Sequence, residues 1–288
     1  MSVNLSGLPN YVDQNSIELI RKSVLSARTI DYVKLQTGVV GPTSVNVLNT
    51  NIVFGDGASC GWNEAGESVV SQRVITPALL KVNMAFCNKQ MAKTFMAHQV
   101  NVAAGRETLP FEETFTGDVV ARVSEKLDEI IWQGTTINGT KYNGFLDLLE
   151  GAVEAETGDT VYTSVKNVYK AMPNVENAVI FIGVDKFRDL ALELTEKNLY
   201  HYNPTVDEAY TMILPGTTCK VIGVGGLNET KKAVAANPDY MFYGTDMTGD
   251  EETFKLWYSD DNQEFRLNIN FSAGVQFAFP DQVAYVSL

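Results

Sequence analysis

Chemistry-bearing residues are scarce in this sequence. It has two histidines, His98 and His201, and three cysteines, Cys60, Cys87 and Cys219, in 288 residues. The cysteines are far apart, odd in number and form no CxxC pair, which argues against a zinc site or a disulfide framework and points to a reducing cytoplasm. No run of about 18 apolar residues is present, so no membrane-spanning helix is expected. Met1 to Tyr11 has neither the basic stretch nor the apolar segment of a signal peptide. Positive charge is also in short supply. Lys and Arg number 22 against 35 Asp and Glu, giving a net charge of −13 and a pI near 4.6. Such a surface repels phosphate and is not expected to grip nucleic acid directly. Apolar residues, by contrast, are plentiful: 45% of side chains are hydrophobic, ample for a packed core and too many for a disordered chain. Length alone suggests about two domains.

The order of elements can be read from periodicity. Ser16 is placed to cap a short helix through about Ala27, with Ile17, Ile20, Val24 and Leu25 on one side. Behind a polar, loosely patterned start, this looks like an arm that needs something to pack against. Thr43 to Phe54 and Ser68 to Ala85 are strand-like and flank Gly55-Asp56-Gly57-Ala58-Ser59-Cys60-Gly61-Trp62, which is dense in turn signals. The reading is a long β-hairpin, either extended over a neighbour or an ordinary surface hairpin. A helix is expected from Asn88 to about Val102, with Met91, Phe95 and Val102 on one side. A longer one is expected from Thr116 to Trp132. There Val120, Val123, Leu127, Ile130 and Ile131 form one continuous face, Thr114 or Thr116 caps the start, and Gly134 ends the helix. Arg122–Glu125 and Lys126–Glu129 are spaced to pair on the opposite side.

The middle of the chain alternates. Val161–Met172 and Val184–Leu199 read as helices, with Phe187, Leu190, Leu194 and Asn198 in register on the second. Ala178–Gly183 and Lys220–Val224 read as buried strands. The last part is nearly all strand: Tyr240–Tyr243, Thr253–Tyr258, Phe265–Phe271, Val275–Phe279 and Gln282–Val286, with polar turns such as Ser259-Asp260-Asp261-Asn262 between them. The fold class is α+β.

No catalytic, cofactor or metal residues can be nominated. His98 lies in a helix among polar neighbours and reads as a surface or half-buried histidine. His201 sits in Asn198-Leu199-Tyr200-His201-Tyr202-Asn203-Pro204, which suits a hydrogen-bonded corner. GxSxG is absent, and no cysteine carries a nucleophile signature. Gly223-Val224-Gly225-Gly226 follows a strand, but Asn228 stands where a dinucleotide loop needs its third glycine. The acidic run from Asp246 to Glu252 lacks the alternating ligands of a calcium loop and reads as a solvated turn.

The order of these elements resembles the Hong Kong 97-type major capsid proteins of tailed phages. Pro110-Phe111-Glu112-Glu113 leading to Ile131-Trp132-Gln133-Gly134, the string from Asn198 to Pro204, and the tail from Phe254-Lys255-Leu256-Trp257 through Ser272-Ala273-Gly274-Val275-Gln276 are similar to one branch of that family. The resemblance covers nearly the whole chain and lies in the order of soft motifs. It implies an N-terminal arm (1–38), an extended loop (39–85), a peripheral domain with a spine helix (86–139), an axial domain (140–240) and returning peripheral strands (241–288). It also implies self-association into hexamers and pentamers of an icosahedral or prolate head enclosing double-stranded DNA without sequence-specific binding. The implied location is the virion, after assembly in the host cytoplasm. A portal, and in some cases decoration proteins, are implied partners. The arm is too short to hold the scaffolding segment some members carry, so a separate scaffolding protein is expected. No lysine occurs in the loop tip, Gly55 to Glu67, so crosslinking through a loop lysine is not expected. Inter-subunit contacts are expected at Trp62, with Glu64 and Arg73 beside it, and at His201, Tyr202 and Asn203. The alternatives are an encapsulin-type nanocompartment shell and a soluble acidic α/β enzyme.

Overall fold

A computed structural model describes residues 7–54, 66–104, 111–134, 136–137, 140–197, 209–246 and 253–288. Helix α1 (Gly7–Leu25) is followed by a 3-10 turn at Arg28–Tyr32 and strand β1 (Lys34–Thr37). Strands β2 (Thr43–Ile52) and β3 (Gly66–Ile75) pair as a hairpin. β4 (Ala78–Cys87) leads to α2 (Asn88–Ala103) and the long α3 (Phe111–Gln133). Short strands β5 (Thr136–Ile137), β6 (Thr140–Lys141) and β7 (Val153–Glu154) precede α4 (Val161–Ala171), β8 (Val179–Gly183) and α5 (Val184–Glu196). The rest is β9 (Thr211–Ile213), β10 (Lys220–Val224), β11 (Lys232–Ala236), β12 (Met241–Thr245), β13 (Thr253–Ser259), β14 (Glu264–Phe277) and β15 (Ala284–Ser287).

β14 organises the first sheet. Its first half lies between β13 and β4, and its second half pairs with β12, which in turn pairs with β1. Side chains alternate as the pleat requires: Phe265, Leu267, Ile269 and Phe271 point into the core, whereas Arg266, Asn268 and Asn270 are half-exposed on the other face. The two strands expected at Phe265–Phe271 and Val275–Phe279 are one. The small residues Ser272-Ala273-Gly274 do not break it; they lie where β14 exchanges β13 for β12 as its neighbour.

The second sheet runs β7-β15-β11-β8-β10-β9 and mixes parallel and antiparallel pairs. Both of its faces are covered, which explains the unbroken apolar run of β8. Ile180 and Ile182 face α4 and α5, packing with Val165, Val168, Leu190 and Leu194. Val179 and Phe181 face the core shared with α3 and the first sheet. The α4 start is held by Thr160, whose hydroxyl accepts the Thr163 N–H at 3.2 Å, and by Glu193 on α5, whose carboxylate accepts the Val161 and Tyr162 N–H groups at 3.0 Å each. The last strand, expected with the peripheral strands, lies here instead. β15 slots Ala284 and Val286 beside Ala235 and Ala233 of β11, where only small or β-branched side chains fit between covering helices.

The N-terminal helix also differs from expectation. It starts at Gly7, not Ser16, and it is docked within the subunit. Leu8, Val12, Leu19, Ile20 and Val24 form its buried stripe against α3 and β13, while Ile17 stands 70% exposed off that stripe. The strand expected over 68–85 is two strands, because Thr76-Pro77 separates hairpin strand β3 from sheet strand β4.

α3 joins the two sheets. Val120, Val123, Leu127 and Ile131 are buried as expected, together with Val119, while Ile130 is half-buried at the margin. The helix begins one turn earlier than expected, at Phe111. Thr116 is therefore no cap; its hydroxyl donates back to the Glu112 carbonyl at 2.8 Å. Lys126 pairs with Glu129 at 2.5 Å, but Arg122 turns to Asp118 at 3.3 Å rather than to Glu125. Gly134 closes the helix at φ +54°, its N–H donating to the Ile130 carbonyl at 3.1 Å.

Candidate assembly surfaces

The motif-like segments of the sequence resolve into packing. Asp128, on the polar side of α3, is buried. Its Oδ1 accepts the Thr29 N–H at 3.0 Å and its Oδ2 accepts the Gly226 N–H at 2.7 Å. Trp132, one turn on, is fully buried and donates its indole N–H to the Thr29 hydroxyl at 2.6 Å. Its ring packs at 5.2 Å from Phe181 and 5.3 Å from Phe145. Gly226 has no room for a side chain: a Cβ there would sit 2.1 Å from the Asp128 carbonyl oxygen and 2.6 Å from Trp132 Cδ1. Gly226 thus lets the end of β10 close against α3. The sequence pattern marked this glycine but gave no sign of Asp128, its partner almost 100 residues away.

His98 is more buried than expected. Both ring nitrogens lack a hydrogen-bond partner, and the ring stands edge-on to Phe111 at 5.6 Å, beside the Phe95–Phe111 contact at 5.2 Å. It pins α2 to the start of α3. Asp246, expected in a solvated turn, is buried, its N–H donating to the Ser272 hydroxyl at 3.3 Å; residues 247–252 lie outside the described residues. Cys219 is buried, and burial pushes its thiol up to about 12; Cys87 is exposed. Among the described residues no cluster of His, Cys, Asp or Glu could hold a metal ion, and no helix is long and apolar enough to cross a membrane.

The unusual features are on the surface. In the β2–β3 hairpin, Leu48 lies directly opposite Val70, and these side chains are 61% and 67% exposed. Val74 is exposed on the same face, and Phe54, just past β2, is 95% exposed. A solvated apolar face on a two-stranded ribbon has no stabilising role in an isolated subunit. A second apolar surface lies along β4. Leu80, Val82, Met84 and Phe86 of that strand, with Phe115, Val119, Val123, Leu127 and Ile130 of α3, line a groove of about 320 Å³, with Lys81, Asp118, Arg122 and Lys126 among its polar lining. Of the residues expected at subunit contacts, Arg73 is exposed in β3 opposite Val45. Trp62, Glu64, His201, Tyr202 and Asn203 lie outside the described residues.

No family model and no curated protein matches the sequence. Solved structures do match its fold. A chain of the satellite phage P4 procapsid, solved including size determination (Sid) protein, superposes at a TM-score of 0.59 with 9% identity, covering 100% of this chain and 92% of that one. A chain from Gordonia phage Cozz gives 0.58 with 12% identity over 90% and 85%. One from a virus-like particle of Pyrococcus furiosus gives 0.54 with 9% identity over 96% and 99%. The chain therefore has the α+β Hong Kong 97-type fold of phage capsid proteins, as its element order implied.

Proposed function

We propose that this chain is the major capsid protein of a tailed phage, a structural subunit and not an enzyme. It binds copies of itself into hexamers and pentamers of an icosahedral or prolate head that encloses double-stranded DNA as an acidic wall. The carrying observation is the near end-to-end superposition on a phage procapsid chain, which covers 100% of this chain and 92% of that one. The unpartnered apolar hairpin face supports the same reading. In this reading residues 1–38 are the arm, with its helix α1 docked on α3, the β2–β3 hairpin is the extended loop, 86–139 carries the spine helix, 140–240 together with β15 forms the axial domain, and β12 to β14 are the returning strands. Trp62 anchors the loop on an adjacent subunit with Glu64 and Arg73 at the rim, and His201, Tyr202 and Asn203 make a second contact. A separate scaffolding protein, a portal and decoration proteins are the partners, and assembly takes place in the host cytoplasm.

Electron microscopy of the purified, overexpressed chain tests this. Closed shells, or free hexamers and pentamers, are expected; a chain that stays monomeric at high concentration refutes it. A nanocompartment shell is the second reading, favoured by the 96% coverage on the Pyrococcus furiosus particle chain. The contents of shells purified from infected or native cells separate the two: DNA supports the phage head, a protein cargo the compartment.

A further inference from the structure

One glycine of α3 has no explanation inside the subunit. A glycine within a helix is destabilising relative to alanine, because it has more backbone freedom to lose. Gly117 lies well inside the 23-residue helix, yet it is exposed, and a Cβ there would meet nothing within 4 Å. It forms part of the floor of a groove on the face of α3 turned away from β4. Three cavities of about 570, 650 and 470 Å³ share lining residues and follow one another along the helix, from Glu113 past Gly117 and Glu125 to Gln133. α1, the turn after it and the segment after β10 form the opposite wall in turn. The floor is low, since Gly117, Ala121 and Ala27 line it. The rim is acidic. Glu113, Glu125 and Glu229 make no ion pair with a described residue. The nearby cations are engaged: Lys22 and Lys126 pair with Glu18 and Glu129, and Arg28 donates to the Ala209 carbonyl and the Thr211 hydroxyl.

α2 presents the complementary face. It contains Lys89 and Lys93 and no Asp or Glu. Phe95 and His98 turn toward its own subunit, where both meet Phe111. On the opposite side Lys93, Met96 and Val100 follow at i, i+3 and i+7, and Met96 and Val100 are 51% and 66% exposed. Ala97 and Ala104 are exposed beside them, so the α2 backbone is open to close approach. This stripe points away from the subunit that carries it, and α2 therefore cannot fill its own groove.

We propose that the α1–α3 groove of one subunit receives α2 of a second copy, with Met96 and Val100 lying over Gly117 and Ala121 and the α2 lysines facing the acidic rim. This rests on the self-assembly reading and adds a helix-to-helix contact to it. The 16 residues of α2 extend about 24 Å and the 23 of α3 about 35 Å, so the groove holds the helix lengthwise. The absent side chain at Gly117 lets the two helices pack closely there, which gives the glycine its role. The two surfaces differ, so each copy gives one helix and receives another, and the contact propagates until it closes into a ring.

Filling the groove and trapping the contact test this together. Gly117→Leu puts a side chain into space that is open in the subunit, and Met96→Asp with Val100→Asp makes the α2 stripe polar. Free subunits of both variants are expected to unfold at the parent's urea concentration, while the yield of shells falls about tenfold or more. Shells formed by either variant at the parent's yield overturn the inference and leave the capsid reading intact. A parent chain that forms no assemblies overturns both. If a variant fails to fold, disulfide trapping decides. With Cys60 and Cys87 replaced by Ser, subunits carrying Val100→Cys are mixed with subunits carrying Ala121→Cys, assembled and treated with a mild oxidant. Val100→Cys mixed with Lys255→Cys, on the outer face of the first sheet, is the control. A band at twice the subunit mass in the first mixture and not in the control is expected, and shells without that band overturn the inference.

Discussion

Removing the Asp128 carboxylate is expected to be among the costliest single changes in the subunit. Asp128→Ala deletes two hydrogen bonds from a charged acceptor, to Thr29 N–H at 3.0 Å and Gly226 N–H at 2.7 Å, and leaves both amides without that acceptor. The carboxylate is buried at the floor of a cleft of about 650 Å³ that Ser124, Glu125 and Gly225 also line, so water entering the vacated space places the cost toward the lower end of the range below. Leaving a buried polar group unsatisfied costs about 1–3 kcal/mol, so two amides give about 2–6 kcal/mol. That is a large share of the roughly 5–15 kcal/mol by which a domain is stable. The change also removes one of the links between the 3-10 turn after α1 and the central sheet, leaving the Trp132–Thr29 hydrogen bond and the Tyr32–Phe181 ring contact to hold them. Asp128→Asn keeps the shape and one acceptor but sets an NH2 group against one of the two amides, so an intermediate loss is expected. Urea unfolding of the isolated subunit, followed by tryptophan fluorescence, measures both. At a slope of about 3 kcal/mol per molar urea, the Ala variant's midpoint falls by about 1–2 M. An Ala variant within about 0.5 kcal/mol of the parent, the range of ordinary surface changes, would refute the reasoning.

Leu127→Ala, at a buried site facing the shared core, is expected to cost about 2–5 kcal/mol by the same assay, whereas exposed Arg122→Ala should cost within about 0.5 kcal/mol. Gly226→Ala should destabilise by about 1–3 kcal/mol or more, because its Cβ meets backbone and indole atoms that cannot swing away; equal melting temperatures would contradict the close approach. Cys219 should resist alkylation at pH 8 in the folded subunit and label only on unfolding, as peptide mapping would detect. Its folded thiol is raised from 9.0 to about 12, so its contribution to stability is complete below about pH 9 and lost as pH climbs through 12. Trp62→Ala should leave the subunit folded while shells become rare or heat-sensitive, and normal assembly with unchanged heat resistance would remove Trp62 as an anchor.

Local periodicity was enough to find α3, α4, α5, β8, β10 and the β2–β3 hairpin, because each is fixed by its own apolar spacing or by turn residues at its ends. The order of elements was enough to suggest the fold. Boundaries failed where local signals competed. Ser16 and Thr116 are good caps in isolation, yet both lie inside helices because Leu8, Val12 and Phe111 extend the apolar stripe toward the N-terminus and burial outweighs a cap. Only the tertiary structure decided that α1 is docked and not a loose arm, that β15 belongs to the central sheet, and that Asp128 holds Thr29 to Gly226. It also decided that an apolar groove lies between β4 and α3. These features depend on contacts between residues that are distant in the chain, and neither period nor propensity at either partner carries information about the other.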